Sequence, residues 1–230
     1  MSAIAIVGPS GSGKSTSYGI LPEIEIKGLN PKETVVCNVA GKDLPFRGWQ
    51  KHYGGKLSEG GNYVETSDSN TIAESIKFVS EKRPDIKNYV IDDGQFIMAF
   101  EFMSRAKENG YGKFADIGVN MSKIVQAAKN ARKDLKVYFL WHPEDNKEYG
   151  FKMKTVGKMI DDYLTLEGLF TVVLYSRASK GADNKIKYEF VTNNNGQLPA
   201  KSPVGMFNDL YIPNDLSIVS ELIDKYNKGE

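Results

Sequence analysis

Near the start of the chain, Gly8-Pro9-Ser10-Gly11-Ser12-Gly13-Lys14-Ser15 follows directly on the all-apolar run Ala3-Ile4-Ala5-Ile6-Val7. Five apolar residues without alternation fit a strand buried on both faces, which requires a parallel sheet covered by helices on each side. The spacing G-x-x-x-x-G-K-S is the phosphate-binding (Walker A) pattern, and its required context is strand, loop, helix. Glycines let the backbone close around an anion. Successive N–H groups then point inward, and the following helix adds its positive end. Gly8, Pro9, Ser10, Gly11, Ser12, Gly13, Lys14, Ser15 and Thr16 are therefore expected to cradle a nucleoside triphosphate. Lys14 is expected on the β- and γ-phosphates, Thr16 at the α-phosphate, and Ser15 Oγ as a ligand of Mg²⁺. The helix is expected from Ser15 to Leu21, where Pro22 stops it.

A chain of 230 residues is long enough for one substantial core. Its net charge of +1 gives no global polybasic surface, so any contact with nucleic acid must be a local patch. Cys37 is the single cysteine, which excludes an internal disulfide and fits a reducing compartment. Its place in Val35-Val36-Cys37-Asn38-Val39 reads as a small core residue. No run approaches the ~20 apolar residues of a membrane span, and no basic region precedes the first apolar run. The expectation is a soluble, cytoplasmic protein without membrane contact.

Strand-like runs recur at 3–7, 34–39, 88–92, 136–141, 170–176 and 186–192. Helical periodicity separates several of them. Ile72, Ile76 and Val79 mark one helix ending near Pro84, and residues 95–108 form a second closing at Gly110. Ile117, Met121, Ile124, Val125 and Ala128 share one face of a third. The alternation predicts an α/β fold with a mostly parallel sheet flanked by helices. Thr171–Arg177 and Lys185–Thr192, joined by a polar turn, read instead as a C-terminal antiparallel hairpin. A final helix is expected to start at Asn214 or Asp215. No linker divides the chain, so 1–230 is taken as one domain, with 170–228 extending its core.

The apolar run Tyr89-Val90-Ile91 ends in Asp92-Asp93, at the strand edge where ligands of open α/β sheets sit. Asp92 is assigned to the Mg²⁺ shell. Asp93 is a candidate to orient or deprotonate the attacking water, with helix capping over Gln95 and Phe96 as the bland alternative. Asp43, in Gly41-Lys42-Asp43 after the second strand, competes for that role, and Glu101 is a weaker third candidate. Val137-Tyr138-Phe139-Leu140-Trp141 ends at His142, which can sense the γ-phosphate or simply cap a loop before Pro143. Two long irregular stretches, 40–63 and 142–158, carry basic and aromatic residues and are either functional loops or solvated surface.

The order of these parts resembles the RecA/KaiC-like P-loop ATPase core. More narrowly, it resembles small phage-encoded ATP-binding proteins of the Sak-type single-strand annealing and recombination group. The residues that carry the resemblance are Gly8–Thr16, Val90-Ile91-Asp92-Asp93, Leu140-Trp141-His142, Lys154-Thr155-Val156-Gly157-Lys158 and Phe170-Thr171-Val172-Val173-Leu174-Tyr175. The resemblance implies Mg²⁺-dependent ATP hydrolysis in the host cytoplasm and binding of single-stranded DNA during recombination or annealing. It also implies homo-oligomeric rings or filaments with ATP near the subunit boundary. A basic residue from the neighbouring subunit would then reach the γ-phosphate. Arg177, Lys180 and Lys201 are the candidates, and Lys201 is preferred for its place after the second hairpin strand. A lysine there carries the charge without the bidentate fork. The DNA surface would fall on 143–158, with Lys147, Lys152, Lys154 and Lys158 on phosphates and Tyr149 and Phe151 stacking on bases.

Two other functions share the loop. A nucleotide or nucleoside kinase needs an arginine-rich lid, whereas this chain has five scattered arginines. An ATP-dependent assembly switch without DNA would change oligomer size with little turnover.

Overall fold

The computed structural model describes residues 2–146, 150–181 and 184–230. In chain order the elements are β1 (Ala3–Val7), β2 (Thr34–Asn38), α1 (Gln50–Tyr53), β3 (Tyr63–Glu65), α2 (Ser69–Lys82) and β4 (Asn88–Asp92). There follow α3 (Gln95–Ser104), α4 (Gly112–Asn130), β5 (Lys136–Trp141), β6 (Pro143–Asn146) and β7 (Gly150–Met153). The last are α5 (Lys158–Tyr163), β8 (Val172–Lys180), β9 (Ile186–Val191), β10 (Tyr211–Pro213) and α6 (Leu216–Lys228). Eight strands form one sheet in the order β10-β9-β8-β1-β5-β4-β2-β3, and β6 and β7 pair as a separate antiparallel hairpin. From β8 to β3 every pairing is parallel, while β9 pairs antiparallel with both β8 and β10.

Every residue of β1, β2, β4 and β5 is buried, as two-sided coverage demands. The two-residue period of a strand sends neighbours to opposite layers. Ala3, Ala5 and Val7 face a core shared with Ile72, Ile76 and Val79 of α2 and Ile117, Met121 and Ile124 of α4. Ile4 and Ile6 face a second core with Tyr18, Leu216, Val219 and Ile223. Asp68 caps α2 by accepting from Thr71 N–H at 2.7 Å, and Asp215 caps α6 by accepting from Ser217 N–H at 2.8 Å. Among the described residues no helix is long and apolar enough to cross a membrane.

Several expectations are revised. The segment after Ser15 is one 3₁₀ turn, Thr16–Tyr18, and not a helix to Leu21. Its extension is blocked because Gly19 turns to extended backbone (φ −71°, ψ 155°), and Gly28 packs on the Gly19 carbonyl so closely that a Cβ there would lie 2.0 Å from it. The helix from Gln95 ends at Ser104, not 108. The irregular stretch 142–158 contains the hairpin of β6 and β7, and 40–63 contains α1 and the start of edge strand β3. Three- and four-residue elements are too short to show a period.

Cys37 lies in the core with no exposed surface. Burial pushes its thiol up from an ordinary 9.0 to about 12. Between those values only the unfolded chain gives up the proton, so stability falls as pH rises through the window. At pH 10 the loss is about 1.4 kcal/mol. Urea unfolding at pH 8 and pH 10 should therefore show a smaller alkaline loss in Cys37→Val than in the native sequence; equal losses would refute the assignment.

Candidate functional site

Parallel strands deliver their C-terminal ends to one edge, so the segments after β1, β2, β4 and β5 converge there. The chain leaves β1 toward the β3 edge of the sheet and leaves β5 toward the β10 edge. Neighbouring strands with diverging connections leave a crevice above their ends, where ligands of open α/β sheets sit. A cleft of about 370 Å³ lies at this place, lined among others by Gly13, Lys14, Ser15, Lys42, Asp93 and His142.

The loop after β1 is clamped from both sides. Gly8 N–H donates to Trp141 C=O at 3.0 Å. Ser176 Oγ donates to Ser12 C=O at 2.7 Å and accepts from Asn214 Nδ2 at 2.7 Å. A Cβ on Gly8 would lie 2.5 Å from the Ser176 carbonyl oxygen, so only glycine permits this approach. Gly13 has φ 94° and packs against Tyr188 and Asn214. Thr16 Oγ1 donates to Gly13 C=O at 2.8 Å. Lys14 folds back over the loop and donates to Gly8 C=O at 2.7 Å and Pro9 C=O at 2.9 Å. Burial lowers its ammonium to about 8, against the opposing pull of Asp93 and Asp92.

Ser15 and Asp92, both expected at Mg²⁺, lie together: Ser15 Oγ donates to Asp92 Oδ1 at 2.9 Å. The other carboxylate oxygen accepts from Tyr18 OH at 2.8 Å. Burial, and then the charge of Asp93, push the Asp92 carboxyl up; the Tyr18 and Ser15 hydroxyls and Lys42 oppose them. Tyr18 is itself wedged edge-on against Phe46 and Tyr53, with centroids 5.6 and 6.1 Å away. Sequence reasoning missed Tyr18. Its signal was an aromatic residue three positions after Ser15, which one helical turn returns to the Ser15 side.

Asp93 is 2 % exposed and adopts φ 61°, a left-handed backbone rare outside glycine. Its side chain caps no helix: α3 begins with Gly94 at the cap and no side-chain bond. Instead it pairs with Lys42 Nζ, and its Oδ1 lies 3.4 Å from His142 Nε2. Burial pushes its carboxyl up, but the bonds from His142 and Lys42 outweigh that and hold it at about 2. The backbone at His142 is fixed on both sides, with its N–H donating to Gln95 Oε1 at 3.3 Å and its C=O accepting from Lys154 N–H at 2.9 Å.

Other candidates fall elsewhere. Asp43 is exposed and does not line the cleft. Glu101 accepts from Asn120 Nδ2 at 2.9 Å and pairs with Arg105 at 3.3 Å, on the α3–α4 surface. Lys201 is exposed, and its backbone bridges Val173, two residues before the rung that joins Tyr175 to Val7. Arg177 stacks on Tyr211 at 4.1 Å and pairs with Glu189 at 2.9 Å. Lys180 is exposed at the end of β8.

Of the proposed DNA surface, Lys147 and Tyr149 lie outside the described residues, as does the side chain of Lys158. Phe151 packs against Tyr175 with centroids 5.8 Å apart. Lys152 is held between Glu144 at 2.8 Å and Asp161 at 2.5 Å. Lys154 is exposed. Matched against protein-family models and against curated proteins, the chain finds no counterpart in either.

Proposed function

We propose that the cleft binds a nucleoside triphosphate with Mg²⁺ and hydrolyses it, as a RecA-like P-loop ATPase. The observation that carries this is the 2.9 Å bond between Ser15 Oγ and Asp92 Oδ1. It joins two oxygen donors from residues 77 positions apart at the mouth of a glycine cradle. Oxygen donors of this kind suit Mg²⁺, and Asp92 is a buried carboxylate whose partners there are mostly neutral hydroxyls. Ser15 and Asp92 would hold the ion, which supplies charge neutralisation on the β- and γ-phosphates.

The chain's own residues account for the rest. Loop N–H groups and Lys14 hold the phosphates. Asp93 and His142 stand side by side at the end of the cleft beside Lys42, where they can orient a water toward the γ-phosphorus. The bond from that water forms as the bond to the bridging oxygen breaks, giving a nucleoside diphosphate and phosphate. Such a transition state is loose and demands positioning and charge more than a strong base, which suits a carboxylate held at about 2.

The arginines speak against a kinase lid. None lines the cleft. Arg83, Arg105, Arg132 and Arg177 are paired with Asp85, Asp116, Asp134 and Glu189, respectively. Single-stranded DNA as the partner, and ring or filament assembly, rest on the family resemblance.

Phosphate release from ATP tests the proposal. It should require Mg²⁺, stop on chelation, and rise on addition of an unlabelled single-stranded oligonucleotide at low salt. No release under any of these conditions would refute hydrolysis. Release without stimulation, with a nucleotide-dependent change in mass, would favour the assembly switch.

A further inference from the structure

Resting on the reading of the cleft as a triphosphate site, we propose that Lys42 is a catalytic residue. It supplies from within the same chain the mobile cation for the γ-phosphate, the role assigned above to a neighbouring subunit. Among the described residues lining the cleft, Lys42 is the only lysine besides Lys14, and Asp93 and His142 line it with them.

The loop that presents Lys42 is built for the purpose. Asn38, at the C-terminal end of β2, is 1 % exposed. Its Oδ1 accepts from Gly41 N–H at 3.1 Å, and its Nδ2 donates to Lys42 C=O at 2.6 Å and Tyr63 OH at 2.9 Å. Gly41 takes φ 63° to make the turn. The buried amide thus fixes the backbone of Lys42 at the sheet edge, as Asx turns do. The side chain beyond is different: it is 53 % exposed, and its ammonium reaches down to Asp93, which is 2 % exposed. A pinned backbone and a half-solvated stem give an ammonium that can exchange one anion for another without moving the loop. A γ-phosphate in the cleft offers more negative charge than one carboxylate, and transfer to it leaves Asp93 with His142.

During hydrolysis Lys42 remains an ammonium. The water oxygen bonds to the γ-phosphorus, the electron pair of the broken bond stays on the diphosphate oxygen, and the water proton passes to Asp93 or the departing phosphate. Lys42 stabilises the negative charge on the equatorial oxygens. Nothing in this requires a basic residue from a second copy, so Lys201 is dispensable for chemistry.

Lys42→Gln and Lys42→Arg in the full chain provide the test, with three readouts: kcat for Mg²⁺-ATP, affinity for ADP, and trapping of ADP with aluminium fluoride. Lys42→Gln should lower kcat by ~10³ and abolish trapping, because cations of this type contribute 10³–10⁵. ADP affinity should stay within about threefold, because the β-phosphate is held by the loop. Lys42→Arg should recover about a tenth of the native rate, retaining the charge. A kcat loss under about tenfold in Lys42→Gln, or ADP affinity falling in step with kcat, would overturn the proposal. Absence of hydrolysis by the unaltered protein would instead overturn the triphosphate reading on which it rests.

Discussion

Replacing Lys14 with alanine should lower nucleotide affinity by about 100-fold or more, since hydrogen bonds to charged groups contribute about 1.5–3 kcal/mol each. In the free protein this ammonium already sits at the cleft, bound to the carbonyls of Gly8 and Pro9. Burial has cost it hydration, which is why it titrates near 8. A phosphate returns what burial removed, and the gain appears as affinity. Removing the ammonium leaves Asp92 and Asp93 facing an incoming polyanion with one cation fewer. The free protein should lose little stability, because relief from burying a desolvated charge offsets the two hydrogen bonds to Gly8 and Pro9 that go with it. The measurement is a pair of melting curves. The unaltered protein should show a nucleotide-dependent rise in Tm. Lys14→Ala should melt at the same temperature as the unaltered protein without ligand and show no rise with ADP or ATP. A rise of equal size in both would refute the role of Lys14.

Asp93→Asn should reduce turnover by ~10²–10³ while sparing nucleotide binding, within the range that a positioned acid or base contributes. Asparagine tolerates the left-handed backbone that Asp93 adopts, so the substitution removes charge without displacing the chain. The loop proposed to hold phosphate follows β1 and Asp93 follows β4, which separates the two proposed functions. Because Asp93 is held at about 2, it is ionised throughout the ordinary pH range. Its protonation should therefore produce no acid limb above about pH 4 in the profile of kcat/KM, which reports the free protein in which Lys42 still pairs with it. Asp43→Asn is the matched control: Asp43 is exposed outside the cleft, and its loss should leave kcat within about twofold. If Asp43→Asn abolished turnover and Asp93→Asn did not, the assignment of the two acids would be reversed.

What the sequence disclosed and what it hid divide along physical lines. The strands β1, β2, β4 and β5 were legible because burial on both faces leaves uninterrupted apolar runs. Their parallel order put Lys14, Ser15, Asp92, Asp93 and His142 on one edge, and all five meet there. Tyr18 and Lys42 escaped because their contacts with Asp92 and Asp93 span 74 and 51 residues, respectively, which no local pattern encodes. For Lys152 and Phe151 the family resemblance implied contacts with single-stranded DNA. In the fold one closes an ion-pair cluster and the other packs on Tyr175, since the hairpin of β6 and β7 turns that stretch back on the sheet. The 3₁₀ turn after Ser15 was hidden by the close packing of Gly28 on Gly19, a tertiary effect that helix propensity does not register.

Asn214 and Asp215 touch the loop after β1 and its sequel across 202 and 188 residues, respectively. Asn214 reaches Ser176 Oγ, which in turn holds Ser12, and Asp215 accepts from the N–H groups of Lys27 and Gly28 at 2.8 and 3.2 Å. The loop after β1 is synthesised well before the residues that clamp it, which lie 164 and 202 positions further along. A nascent chain stalled before residue 214 would carry the complete signature of a nucleotide binder and lack the clamp that gives it form. On the proposed function, the capacity to bind nucleotide would appear only once Asn214 and Asp215 had been made and had docked against the loop after β1.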